Sequence, residues 1–84
     1  MTYKLSMLRR AQKALAQFPQ GDYERVRDAV ASLASDPRPK GCKKLIGREG
    51  WRIREGDYRI IYEVNDVDHQ VTVLDIGHRR DVYH

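Results

Sequence analysis

Apolar residues recur at two different spacings along this chain, and the change of spacing divides it into two parts. Leu8, Ala11, Leu15 and Phe18 follow one another at helical intervals, the mark of one amphipathic face. "FPQG" closes that helix, with Pro19 and Gly21 as breakers. Asp22 then reads as the N-cap of a second helix, whose stripe is Tyr23, Val26, Val30 and Leu33. "SDPRPKG" stops it, because two prolines and a glycine so close together cannot continue a helix. The pattern predicts an αα-hairpin. Ahead of it, the alternating "TYKLS" at residues 2–6 reads as a first strand.

Beyond Pro39 the period shortens to two. Trp51 and Ile53 alternate with Arg52 and Arg54. A turn at "EGD" leads into "YRIIYEV", and a second at "NDVD" leads into "HQVTVLDIG", which is rich in β-branched residues. Three strands with short connections make an antiparallel meander. The predicted order is β-α-α-β-β-β, a small two-layer α+β domain with the helical hairpin packed on one face of a mainly antiparallel sheet. At 84 residues the chain makes one domain, residues 1–84, with a core of limited size.

Composition removes several classes of function. No apolar run approaches the roughly 20 residues that span a bilayer, and the amino terminus has no apolar stretch of the signal-peptide kind. The single cysteine, Cys42, has no partner for an internal disulfide, which fits a cytoplasmic protein. One cysteine and three scattered histidines, without the spacing of a metal motif, predict no metal and no cofactor.

Charge adds a location. The net charge is +4, and the stretch from Arg38 to Arg59 holds eight basic residues against three acids. The rest of the chain is close to neutral. A local basic footprint of this kind attracts phosphate polymers. Arg9, Arg10 and Lys13 read as the solvated face of the first helix.

Alternation then sorts the basic residues. If Trp51 and Ile53 face the helices, Arg52 and Arg54 face away. A core of Ile60, Tyr62 and Val64 sends Arg59 to the same outer face, where Glu63 is the acid on that strand. Like charges opposed across strands cost stability, so a cluster of three arginines calls for a ligand. The closing "GHRRDVYH" leaves the last strand at its edge and brings His78, Arg79, Arg80 and Tyr83 within reach of that face.

Guanidinium groups beside an imidazole and a phenol suit metal-free RNA cleavage. The ribose 2′-OH is a built-in nucleophile. Arginine forks match phosphate oxygens and stay charged, which suits stabilisation of the pentacoordinate phosphate and disqualifies them as bases. The base is then Tyr83, with its pKa lowered from about 10, or His78, ordinarily near 6.5.

"KKLIG", "WRIREGDYRIIYEV" and "VTVLDIGHRRDVYH" resemble the carboxyl-terminal half of RelE-type toxins, in the RelE/ParE superfamily of bacterial toxin–antitoxin systems. The resemblance covers essentially the whole chain and is strongest from Lys43 to Tyr83. It implies the same β-α-α-β-β-β scaffold and a ribosome-dependent endonuclease that cuts mRNA and is held inactive by a cognate antitoxin. By position it implies catalytic roles for Arg52, Arg54, Arg59, Arg79 and Tyr83, with Lys43, Lys44, His78 and Arg80 as RNA contacts. Arg52 and Arg54 stand where well-known members carry lysines. Arginine keeps the charge but gives up its proton far less readily, so proton transfer moves towards Tyr83 or His78.

Two other readings use the same scaffold. A ParE-like toxin would poison DNA gyrase without hydrolysis. A non-catalytic module would use the basic face to bind RNA or protein. Exposed strand edges and a basic face also predict a protein partner that covers them.

Overall fold

The computed structural model describes residues 2–78. Strand β1 (Lys4–Met7) leads into helix α1 (Arg9–Ala16) and helix α2 (Gln20–Ser32). Four strands follow: β2 (Lys43–Lys44), β3 (Trp51–Glu55), β4 (Tyr58–Asn65) and β5 (Gln70–His78). The predicted order therefore holds, with the two-residue β2 added. The sheet runs β1-β5-β4-β3-β2, antiparallel except for β1, which lies parallel to β5.

The helices cover one sheet face. Ala11 and Leu15 of α1, Val26 and Val30 of α2 and the following Leu33 pack against Ile53, Ile60, Tyr62, Val71, Val73 and Ile76. Burying one aliphatic side chain of this kind stabilises by about 1.5–3 kcal/mol, so this layer is the main source of cohesion. The Tyr62 hydroxyl reaches through the layer and donates to the Pro37 carbonyl at 2.7 Å.

Two sequence expectations are corrected here. Gly21 does not break the chain and Asp22 is not an N-cap. Helix α2 starts at Gln20, directly after Pro19, whose carbonyl accepts the Tyr23 N–H at 2.8 Å. Proline fits this entry because it needs no amide partner there. Asp22 sits in the first turn, where a carboxylate is favoured by the helix dipole, and accepts hydrogen bonds from Arg25 and from the Tyr58 hydroxyl.

Among the described residues, strand β5 carries the one register shift of the sheet. Tyr62 pairs with Val73, but the neighbouring Ile61 pairs with Asp75, so Leu74 is an extra residue, a β-bulge. The bulge lets Val73 and Ile76, three positions apart, both face the helices. Leu74 joins Leu45 and Ile61 in a second, smaller apolar cluster on the opposite face. That face is therefore not the open surface the alternation implied. The segment between β2 and β3 folds over it and buries Leu45. Gly50 permits the fold, with φ at +121° and with Leu45 Cδ1 and the Tyr62 carbonyl each 3.1 Å from where a Cβ would stand.

Candidate nucleic-acid interface

The sheet face away from the helices gathers the basic residues. In register, Arg52 lies between Lys43 of β2 and Ile61 of β4, and Arg54 lies directly opposite Arg59. Arg59 is in turn opposite Gly77 of β5. The tight Gly56–Asp57 turn, with Gly56 at φ +60°, brings Arg54 and Arg59 face to face. Gly41, Lys43, Arg52 and Arg54 line a shallow hollow of about 270 Å³ at the edge of this face. The Leu45–Ile61–Leu74 cluster lies on the same face.

The acids of this face lie on the two inner strands. Glu63 is exposed opposite Thr72, and Asp75 occupies the register position opposite Ile61. Asp75 was not expected here, because only the bulge turns it to this side.

The structure divides the remaining candidates. Lys43 belongs to the arginine face, but its neighbour Lys44 points the other way and sets its ammonium 5.6 Å from the centre of the Trp51 ring. His78 pairs with Tyr58 on the helix side, with the two rings edge to face at 6.2 Å. Tyr58 is stacked on Phe18 at 4.2 Å. His78 therefore stands on the opposite side of the sheet from Arg52, Arg54 and Arg59. Arg79, Arg80 and Tyr83 lie outside the described residues.

The described tyrosines with perturbed acidity are all shifted the wrong way for a general base. Tyr3 is raised by its hydrogen bond to Asp66, and Tyr58 by its hydrogen bond to Asp22. Tyr62 is raised further, by burial first and then by the neighbouring Cys42. Among the described residues, no group of three His, Cys, Asp or Glu is arranged to hold a metal ion.

Sequence reasoning did not find a second polar cluster, at the other end of the β3–β4 hairpin. Arg38 donates from both terminal nitrogens to Asp66, at 3.2 and 2.8 Å, and Tyr3 donates to the same carboxylate at 2.7 Å. The Arg38 guanidinium also lies 5.2 Å from the centre of the Trp51 ring. Arg38 and, next to it, the Tyr3 hydroxyl hold the Asp66 carboxyl down to about 2. Its members are 28 and 63 positions apart in sequence, so no local pattern announces them.

A two-helix layer on one face of a five-stranded, mostly antiparallel sheet is also the fold of RelE toxins. Over residues 5–83 the sequence matches the family described as the ParE toxin of the type II toxin–antitoxin system, parDE, and the chain belongs to that family. Among solved structures it is similar to RelE in the archaeal RelE–RelB complex from Pyrococcus horikoshii. That match has 32% identity, spans 98% of this chain and 100% of that one, and has a TM-score of 0.84. The toxin–antitoxin complex RelBE2 from Mycobacterium tuberculosis matches at 26% identity over 96% of this chain and 95% of that one, with a TM-score of 0.81. Free E. coli RelE, as an arginine-to-alanine double mutant, matches at 25% identity over 98% and 88%, with a TM-score of 0.75. No curated protein sequence matches the chain. The protein is thus a toxin of a type II toxin–antitoxin system.

Proposed function

We propose that this toxin is a metal-independent endoribonuclease that cuts mRNA on the ribosome. The observation that carries the reading is the pairing of Arg54 with Arg59 across strands, with Lys43 beside Arg52 on the same face. Opposed guanidiniums repel each other and are stabilised by a bound phosphate, most of all by one whose charge grows in the transition state. The 2′-oxygen attacks phosphorus and the bond from phosphorus to the 5′-oxygen breaks. The leaving 5′-oxygen takes a proton from water, and the products are a 2′,3′-cyclic phosphate and a 5′-hydroxyl end. Arg52, Arg54, Arg59 and Arg79 hold the phosphate, and Lys43 and Arg80 contact the flanking RNA. Tyr83 takes the 2′-proton, since His78 stands against Tyr58 on the far side of the sheet.

A second reading keeps the toxin class and changes the target to DNA gyrase, bound without hydrolysis. The ParE description of the matched family favours it. In either case the partner is a cognate antitoxin, as the RelB complexes of the similar toxins support.

Primer extension on a defined mRNA in a purified translation system separates the readings. Cuts in codons held in the ribosomal A site, lost in Arg54→Ala and Tyr83→Phe, are expected of the nuclease. Intact mRNA together with inhibited gyrase supercoiling would transfer the assignment to the second reading.

A further inference from the structure

Arg10 was read from the sequence as part of a solvated helix face. In the structure its Nε donates to the carbonyl of Leu74 at 3.0 Å, a partly buried contact across 64 positions of sequence. Leu74 is the bulge residue of β5, the one with no partner in the β4 register. Its carbonyl also lies just beyond the place where β1 stops covering β5. Met7 pairs with Val73, and the Leu8 N–H donates to the Val73 carbonyl at 2.9 Å, the last backbone bond of that edge. Beyond Met7 the chain turns into α1, and Arg10 supplies a charged donor where the strand ladder has run out.

The bulge decides which way the rest of β5 faces. With it, Asp75 and Gly77 lie on the arginine face and His78 on the helix face. Without it, alternation from Val73 would exchange those faces.

We propose that Arg10 is a positioning residue, which locks the β5 bulge through the Leu74 carbonyl and so sets the phase that holds Asp75 and Gly77 on the arginine face, opposite Ile61 and Arg59. The inference rests on the nuclease reading for its functional half and on the bulge alone for its structural half. Arg10 touches the backbone rather than the RNA, so its loss lowers turnover and leaves RNA affinity in place.

The test compares wild type, Arg10→Met and Arg10→Lys by amide hydrogen exchange and by cleavage kinetics. Arg10→Met is expected to exchange faster at Asp75, Ile76 and Gly77, with Val71 and Ile60 unchanged. Its kcat should fall on the order of 10–100-fold, as for a small misplacement of reacting groups, with KM little altered. Arg10→Lys, which keeps a charged donor, should recover part of both. Unchanged exchange after the bulge would overturn the proposal. A loss expressed only as a raised KM would also overturn it, since Arg10 would then be an RNA contact. A wild-type protein that cuts nothing would sink the nuclease reading and the functional half with it. The exchange pattern would still decide whether Arg10 locks the bulge.

Discussion

The two ends of the β3–β4 hairpin use arginine in opposite ways. Beside Trp51, Arg38 meets opposite charge: a carboxylate takes both its terminal nitrogens, and an indole lies against it. Beside the Gly56–Asp57 turn, Arg54 and Arg59 are set against each other, with a glycine on the next strand. The first arrangement ties together the amino terminus, the α2–β2 connection, the start of β3 and the β4–β5 turn. The second adds positive charge to a face that already holds Lys43 and Arg52. Substitution at the Arg38 end is therefore expected to change stability, and substitution at the Arg54 end to change what the proposed nuclease face binds.

The largest expected effect separates the ends most sharply. Arg54→Ala should lower cleavage by about 10²–10³-fold, the usual cost of removing one donor from a developing charge. Its urea midpoint should stay level or rise, because a like-charge pair is relieved. A variant that loses activity and stability together would show that the arginine is structural, and the contrast would collapse.

Gly50→Ala acts on the fold beneath both ends. A side chain at φ +121° is strained and meets Leu45 and the Tyr62 carbonyl, so unfolding should become easier by about 2 kcal/mol. Urea denaturation checks it, and an unchanged midpoint would mean that the segment over Leu45 adapts.

A finer test uses two adjacent lysines. Lys43→Ala should weaken RNA binding and reduce the slope of log affinity against log salt by about 0.7, one phosphate of a single strand. Lys44→Ala, whose ammonium lies against Trp51, should leave that slope alone. Equal effects on both would erase the distinction between the faces.

The smallest effect concerns acidity. The Asp66 carboxyl is held to about 2, below its ordinary 3.8, by Arg38 first and then by Tyr3. A depressed carboxylate contributes stability above its unfolded value and loses it as pH falls through the folded one. Wild type should therefore lose stability between about pH 4 and pH 2 more steeply than Asp66→Asn does. Parallel pH curves would show that the carboxylate adds nothing. The contribution is modest, because both partners face solvent.

Much of this was legible in the sequence. Helical spacing over Leu8–Phe18 and Tyr23–Leu33, then alternation from Trp51, gave the layers and put Arg52, Arg54 and Arg59 on one face. Alternation suffices there because β3 and β4 pair without a slip from Trp51 to Tyr62. His78 was grouped with the arginines for want of one fact. The adjacent apolar pair Val73–Leu74 breaks the alternation, and beyond it every residue of β5 changes sides. The pair is visible in the sequence, and so is Ile76 three positions after Val73. What was not visible is that Leu45 would cover Leu74 on the far face, which is what makes a bulge there favourable. The Tyr3–Asp66–Arg38 cluster depends wholly on tertiary proximity.

The position of β5 in the sheet has a consequence for how the protein is born. It is the last described strand to be synthesised, yet it lies second in the sheet and pairs with both the earliest strand and β4. Until it emerges, β1 has no neighbour, and the helices have no Val71, Val73 or Ile76 to cover. Contacts that join chain positions so far apart form late and slowly. A nascent copy thus leaves its helical layer and its arginine face unfinished until β5 has emerged beside β4.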